Sequence, residues 1–308
     1  MPLLQCLKGR RYYHDAMSYG SQRSLVSRRT LVIFSLGLLV LLVFFCLQGN
    51  ENYVPNIRDP EPAAEKITDN NYQGLWQENP KLVTYIRSLL RPPSTEDYQL
   101  SNPKRKHFTF MEQSKFVGDL YGPGKREGFF VEVGALDGET SSSTLYLERE
   151  LGFKGLLIEP NPVNYEILLG KHRKAYILQA ALSPTTSSAE LLFTGSGQQG
   201  HLAKDETSET IHVKSFPFYS ILSALDISFI DVFNLDIEGF EFKVLKTIPF
   251  DRVKVGILIV EHLNIPEPKA ELVKFMTNLG YKKIHQNKFD YIFAHPDYLS
   301  KLPGWKPS

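Results

Sequence analysis

The sequence FFVEVGALDG at residues 129–138 and the sequence LLIEPN at residues 156–161 decide the fold of this chain. The first is an apolar run that breaks into glycines and an acid, and the second is an apolar run that ends in an acid. Such runs predict two buried parallel strands joined by a helix, the opening βαβ unit of a doubly wound α/β sheet. Gly134 and Gly138 bracket the predicted turn, where a missing Cβ lets the backbone bend and lets a ligand approach closely.

The acids of this unit predict a nucleoside ligand. Glu159 follows Gly134 by about 25 residues, near the spacing at which a carboxylate meets ribose hydroxyls in nucleotide-binding βαβ units. The turn GALDG lacks the middle glycine of GxGxxG, which disfavours a dinucleotide. Glu132 would repel phosphates but suits a cationic ligand such as S-adenosylmethionine. The alternative is that these residues only shape a tight turn in a sheet that binds nothing.

Strands and helices continue to alternate downstream, which predicts a mostly parallel sheet. The sequence IDVFNLDIEGFE at residues 230–241 reads as a buried strand that ends in Asp236 and Glu238 just before a helix. A further buried strand delivers Glu261 and His262 to the same edge, where ligands bind in open α/β sheets. An antiparallel hairpin is predicted to close the sheet near the end of the chain.

The amino-terminal part has a different character. Residues 1–30 are basic, and residues 31–48 contain no charge, which predicts a transmembrane signal anchor. A cleaved signal peptide is the alternative, but its basic region would be unusually long and no small-residue cleavage site follows. Because basic flanks stay in the cytosol, we predict a single-pass type II protein with its tail in the cytosol and its bulk in the lumen, and with the lipid bilayer as one partner.

The remaining organisation follows from composition. Residues 49–107 are rich in proline, asparagine and acid and read as a luminal linker, interrupted by one short helix that Asn79 caps. Residues 108–308 form the predicted globular domain. The chain contains 35 basic and 34 acidic side chains, a balance that argues against nucleic acid as a partner. Both cysteines precede residue 49, so the luminal part has no disulfide and no zinc-cysteine site.

Five ordered motifs together resemble the FkbM family of S-adenosylmethionine-dependent methyltransferases. They are FVEVGALDG, LLIEPNP, AALS, LDIEGFEFKVL and IVEH, and the resemblance spans about residues 113–294. It implies a Rossmann-like class I methyltransferase sheet with S-adenosylmethionine as cofactor. The implied cofactor-binding residues are Glu132, Gly134, Asp137, Gly138, Glu159, Asn161 and Asp236.

The resemblance also implies a base for a hydroxyl acceptor, and Glu238 and His262 are the predicted catalytic residues. Alternatively, Glu238 satisfies amide groups at a helix N-terminus and His262 makes a structural hydrogen bond at a strand end. No metal site is predicted, because Glu261 and His262 show no recognised ligand spacing.

With the anchor added, the chain resembles the membrane-anchored, Star-like subgroup of this family, which is associated with export of EGF-receptor ligand precursors from the endoplasmic reticulum to the Golgi. The predicted main function is therefore that of a luminal trafficking module whose partner is a transmembrane EGF-like precursor. Leu136, where many FkbM domains have asparagine, favours this function. The alternative is an O-methyltransferase acting on a glycan or small hydroxyl compound, which the acids at the cofactor positions favour.

Overall fold

The computed structural model describes residues 67–124, 127–195, 197 and 200–306. The predicted cytoplasmic tail, the predicted membrane anchor at 31–48 and the first part of the predicted linker lie outside these residues. Within the described part of the chain, no helix combines the length and the apolar character needed to span a bilayer.

Strands and helices alternate along most of the described chain. The strands are β1 (Phe129–Val133), β2 (Lys154–Ile158), β3 (Tyr176–Leu178), β4 (Ala181–Leu182), β5 (Ala189–Thr194), β6 (His201–Leu202), β7 (Ile211–Phe216), β8 (Phe229–Leu235), β9 (Lys254–Glu261), β10 (Lys282–Gln286) and β11 (Asp290–Ala294). The helices are α1 (Pro80–Leu89), α2 (Gln113–Tyr121), α3 (Leu145–Leu151), α4 (Pro162–Leu169), α5 (Phe218–Ala224), α6 (Glu241–Leu245), α7 (Lys269–Asn278) and α8 (Pro296–Leu299).

Seven strands form the main sheet in the order β10-β11-β9-β8-β1-β2-β3. Strands β9, β8, β1, β2 and β3 run parallel, β11 pairs antiparallel with β9, and β10 pairs antiparallel with β11. This confirms the predicted mostly parallel, Rossmann-like sheet with a carboxyl-terminal antiparallel hairpin. The chain order reverses between β1 and β8, so a crevice lies beyond the carboxyl ends of these two strands.

Helices cover both faces of the sheet, as in a doubly wound fold. Alternate residues of β1 point to opposite faces: Val131 belongs to the core under α1, α5, α6 and α7, and Phe130 belongs to the core under α2, α3, α4 and α8. Both residues are fully buried. This explains why the central strands are apolar on both sides.

A second, smaller sheet has the order β4-β7-β5-β6 and is absent from the sequence prediction. The apolar run at 176–182 is typical of one strand, but it divides after Leu178: β3 pairs with β2 in the main sheet and β4 pairs with β7 in the small sheet. The segment 194–208 has the glycines, serines and glutamines that are typical of a loop, but it contains β6. An apolar run shows that residues are buried, but it does not show which strand becomes their partner.

The described part of the predicted linker packs on the domain, which corrects the predicted domain start at residue 108. Helix α1 begins at Pro80, and the Asn79 side chain caps it by accepting a hydrogen bond from Lys81 N, as predicted. Leu82 and Ile86 of α1 are completely buried in the core under the sheet. Arg91 exchanges two backbone hydrogen bonds with Ile177 at the β3 edge, at 2.9 and 3.0 Å. The helical spacing of Leu82 and Ile86 predicts an apolar face that packs on the domain, but the proline-rich composition around the helix places the predicted domain start too late.

Candidate functional site

A cavity of about 330 Å³ lies beyond the carboxyl ends of β1, β2, β8 and β9. Its volume is within the range of small-molecule sites, about 300–1,000 Å³. Six carboxylates line it, contributed by Glu132, Glu159, Asp236, Glu238, Glu261 and Asp290. No lysine or arginine is among the described lining residues. The cavity is therefore suited to a ligand that carries positive charge and unsuited to a phosphate.

Glu132, on β1, is almost completely buried and holds the turn that precedes α3. Its carboxylate accepts hydrogen bonds from Ser142 Oγ at 2.8 Å, from Ser143 N at 2.7 Å and from Thr144 Oγ1 at 2.6 Å. Burial raises the pKa of Glu132, and the nearby Arg173 guanidinium opposes this shift. The sequence of residues 141–151 is typical of a helix, but these bonds hold residues 142–144 in the turn, so α3 begins at Leu145. Glu132 lines the cavity, but it acts mainly by shaping the wall.

Gly134 and Gly138 both have positive φ angles, of 78° and 76°, but they serve different contacts. A Cβ on Gly134 would lie 2.0 Å from the backbone oxygen of Asp236, so this glycine permits the close approach of the β1 and β8 ends. A Cβ on Gly138 would lie 2.3 Å from Leu168 Cδ1 of α4. Gly134 lines the cavity, whereas Gly138 serves helix packing away from it.

Glu159 lies directly after β2, and the β1 turn holds its carboxylate at the cavity wall. Oε2 accepts a hydrogen bond from Leu136 N at 2.8 Å, and Oε1 accepts from Asn161 N at 3.0 Å and from Asn164 Nδ2 at 3.3 Å. Burial raises the pKa of Glu159 to about 7. Leu136 adopts a φ of 52°, unusual for a residue with a large side chain, and also lines the cavity.

Asp137 and Asn161, two other predicted cofactor residues, serve the local backbone. The Asp137 carboxylate accepts hydrogen bonds from Glu139 N at 2.9 Å and from Thr140 N at 2.6 Å. Asn161 caps α4 through its Oδ1, which accepts from Val163 N at 2.9 Å. Neither residue is among those that line the cavity. Both shape the turns that carry the cavity walls.

Asp236 follows β8 and presents its carboxylate to the cavity. No described residue donates a hydrogen bond to its side chain, although its backbone N–H donates to Val133 O at 3.2 Å. The carboxylate faces the cavity, and protein encloses it on its other sides. This desolvation raises the pKa of Asp236 well above its usual value, and Glu261 and Glu238 raise it further. Asp236 is therefore an acceptor available to a ligand.

Glu238 lines the cavity two residues further on, with a φ of 56°. Its Oε2 accepts a hydrogen bond from Asn264 Nδ2. Burial raises the pKa of Glu238, while the Asn264 hydrogen bond and the nearby His201 lower it. The alternative prediction for Glu238 is that it caps the following helix. Glu241 makes such hydrogen bonds instead, because its carboxylate accepts from Ile237 N at 2.8 Å and from Gly239 N at 3.0 Å.

Glu261, the last residue of β9, points into the cavity, but its neighbour His262 does not. Glu261 Oε1 accepts a hydrogen bond from Leu263 N at 2.7 Å, and burial raises the pKa of this carboxyl to about 8. The His262 ring is buried against the Tyr291 ring, with centroids 4.0 Å apart, and is not among the cavity-lining residues. Burial lowers the pKa of His262, which favours a neutral packing residue. The structure thus does not bring His262 to the site.

Several residues that line the cavity are not predicted as site residues from the sequence. Asp290 begins β11, which runs antiparallel to β9, so its start lies at the edge where the parallel strands end. The predicted antiparallel hairpin could have indicated this position of Asp290, because its second strand starts at that edge of the sheet. Phe110 and Leu263 also line the cavity while 72% and 44% exposed, and they add apolar surface to its acid-lined wall. No pattern in the sequence marks these two residues.

Residues 132–283 match the family model of the methyltransferase FkbM domain. Comparison with curated proteins gives no match. Similar solved structures include TrmK of M. capricolum in complex with S-adenosyl-homocysteine, with a TM-score of 0.34 and 10% identity over 61% of this chain and 68% of that chain. They also include a methyltransferase of Thiobacillus denitrificans in complex with S-adenosyl-L-homocysteine, with a TM-score of 0.31 and 12% identity over 60% of this chain and 69% of that chain.

Proposed function

We propose that the methyltransferase FkbM domain at residues 132–283 binds S-adenosylmethionine in the acid-lined cavity and methylates a hydroxyl oxygen of an acceptor. The observation that carries this proposal is the cavity at the strand-order reversal, lined by six carboxylates and, among the described residues, by no lysine or arginine. S-adenosylmethionine carries a sulfonium and an ammonium, so these carboxylates offset its charge.

Two carboxylates fit the cofactor best. Glu159 lies at the end of β2, where a carboxylate can accept hydrogen bonds from ribose hydroxyls. Asp236 has no hydrogen-bond donor among the described residues, so its oxygens are available to the ammonium group. Gly134 lies between these two residues and has no side chain. The β1 and β8 ends can therefore lie close together, and the cofactor can approach the backbone there, whereas a side chain would collide with the β8 end. When bound, the cofactor supplies an electrophilic methyl group.

Glu238 is the proposed general base. It lines the cavity, its position is restrained by Asn264, and burial raises its pKa towards the range in which a carboxylate accepts protons efficiently. It would take the proton of the acceptor hydroxyl as that oxygen forms its new bond. Most of the acceleration would come from holding the acceptor in line within the cavity. The apolar side chains of Phe110 and Leu263 would contact the non-reacting part of the acceptor.

Calorimetric titration of the full chain with S-adenosylmethionine and with its demethylated product tests cofactor binding. We expect micromolar dissociation constants, about −8 kcal/mol, and at least tenfold weaker binding for Glu159→Gln. Glu166→Gln is the matched control, because it makes the same change at an exposed position of α4. Absence of binding to the folded chain, or equal binding by the two variants, would contradict the proposal.

A second candidate function is cargo binding by a membrane-anchored, Star-like chain in the endoplasmic reticulum, Golgi or endosome. The uncharged segment 31–48 supports the anchor, and the apolar Leu136 side chain at the cavity supports a role without catalysis. Co-purification of a transmembrane EGF-like precursor with the full chain would test it. Retention of the precursor by Glu159→Gln would show that cargo binding is independent of the cofactor, and no retention by the unmodified chain would reject this function.

A further inference from the structure

We propose that Asp236, Glu241 and Glu261 bind one divalent cation of the hard, oxygen-preferring class, such as Mg²⁺, Mn²⁺ or Ca²⁺, beside the cavity. Asp236 and Glu261 line the cavity, whereas Glu241 is fully buried and is not among the lining residues. One carboxylate oxygen from each residue lies within 4.8 Å of the others. The three residues come from different elements: Asp236 follows β8, Glu241 begins α6 and Glu261 ends β9. Parallel pairing of β8 with β9, in which Leu235 is opposite Val260, brings them together.

Glu261 provides an independent observation that points to a ligand at this position. Its side chain lines the cavity although the residue is only 5% exposed. Oε1 accepts the hydrogen bond from Leu263 N, but Oε2 is buried and has no hydrogen-bond partner in the described part of the chain. Buried polar atoms are ordinarily paired, and an exception requires an explanation such as an ion. A cation between the three carboxylates would satisfy this oxygen.

The other two residues can also supply ligands. No described residue donates a hydrogen bond to the Asp236 carboxylate, so one of its oxygens can face the cation while the other faces the cofactor. The Glu241 carboxylate accepts hydrogen bonds from the backbone amides of Ile237 and Gly239, which orient it, and one of its oxygens lies within 4.8 Å of oxygens of Asp236 and Glu261. Hydrogen bonds to ligating carboxylates are a regular feature of metal sites.

The donor set determines the class of cation. All three donors are carboxylate oxygens, which hard cations prefer, whereas zinc and copper sites ordinarily include histidine or cysteine. Three protein ligands leave coordination positions for water on the cavity side. No lysine or arginine among the described lining residues is available to offset these charges.

This site would deepen the proposed function, on which its role in catalysis rests. An acceptor hydroxyl could replace one of the cation's waters, and the cation would then lower the pKa of that hydroxyl and fix its position. The acceptor class would be a neutral compound with an accessible hydroxyl, because the six carboxylates of the cavity repel anions. Glu238, at the same wall, would still receive the proton.

Titration of the full chain with Mn²⁺, with the free ion followed by electron paramagnetic resonance, tests the site without any activity measurement. We expect one saturable site per chain, from which excess Mg²⁺ or Ca²⁺ displaces Mn²⁺. Glu261→Gln and Asp236→Asn should each weaken Mn²⁺ binding at least tenfold, about 1.4 kcal/mol. Asp236→Asn serves as a second variant if Glu261→Gln does not fold, because its side chain faces the open cavity.

Glu159→Gln separates this proposal from the cofactor proposal. Glu159 lines the same cavity but lies outside the three-acid cluster, so this variant should keep Mn²⁺ binding and lose S-adenosylmethionine binding. The absence of a saturable Mn²⁺ site in the folded chain, or unchanged Mn²⁺ binding by both cluster variants, would overturn the cation site. Mn²⁺ binding by the unmodified chain without any S-adenosylmethionine binding would count only against the proposed function.

Discussion

The backbone N–H of Leu136 donates a hydrogen bond to the carboxylate of Glu159 at 2.8 Å. This bond joins the turn after β1 to the end of β2, so the two sequence stretches that predict the fold also contact each other at the cavity. It holds the Glu159 carboxylate in place, and Leu136 adopts its unusual positive φ in the same turn. The cavity wall therefore depends on backbone geometry as well as on acidic side chains.

The Glu159 carboxyl should make stability depend on pH. Burial raises its pKa from 4.5 to about 7, so the folded chain retains a proton that the unfolded chain has released in this interval. The stabilising contribution is complete below pH 4.5 and is lost as the pH rises through about 7. Glu159→Gln removes it. In urea unfolding at pH 5 and pH 8, the variant should gain stability relative to the unmodified chain at the higher pH, by at most about 3 kcal/mol. An equal difference at both pH values would contradict this assignment.

Gly134→Ala should be more destabilising than a substitution at another glycine of similar φ. Gly74 has a φ of 76°, close to the 78° of Gly134, but a Cβ there would meet nothing within 4 Å. Gly74→Ala should therefore cost only the backbone term, about 1–2 kcal/mol. Gly134→Ala adds the collision with the Asp236 carbonyl and should cost about 1–3 kcal/mol more. Urea unfolding measures both, and equal costs would show that the β8 end moves aside easily.

Leu82→Ala should show that the segment before residue 108 is part of the folded domain. Leu82 is fully buried in the core under the sheet, and truncation of such a leucine costs about 2–5 kcal/mol of unfolding free energy. Lys81→Ala, at the neighbouring exposed position of α1, is the control and should change stability by less than about 0.5 kcal/mol. If both variants unfold at the same urea concentration, α1 does not contribute to the core.

Glu238→Gln should separate catalysis from cofactor binding. The substitution keeps the size of the side chain and a hydrogen-bonding group for Asn264, but it removes the proposed base. Methyl transfer to a panel of glycans and small hydroxyl compounds should fall by about 10²–10⁴, while calorimetry should show cofactor binding within about threefold of that of the unmodified chain. Unchanged turnover would remove Glu238 from the mechanism, and a parallel loss of cofactor binding would make it a binding residue instead.

Local patterns were sufficient for much of the fold. Apolar runs predicted the strands β1, β2, β8 and β9, because each is buried by helices on both faces. Asn79, followed by proline, predicted the start of α1, because a cap acts on amides two or three residues away, and Asn161, also followed by proline, caps α4 in the same way. The acids at the strand ends predicted which edge of the sheet carries the site, since parallel strands end on the same side.

Tertiary structure decided how those acids are used. Glu132 and Asp137 turn towards neighbouring backbone and hydroxyl groups, Glu159 binds the β1 turn, and Asp236 alone of these four has no donor among the described residues. His262 packs on Tyr291 although it adjoins a cavity residue, and residues 67–107 join the domain despite a linker-like composition. The sequence determines which side chains lie at a strand end, because that position depends only on the local spacing of residues along the chain. Their partners depend on side-chain direction and on segments distant in sequence, which only packing brings together.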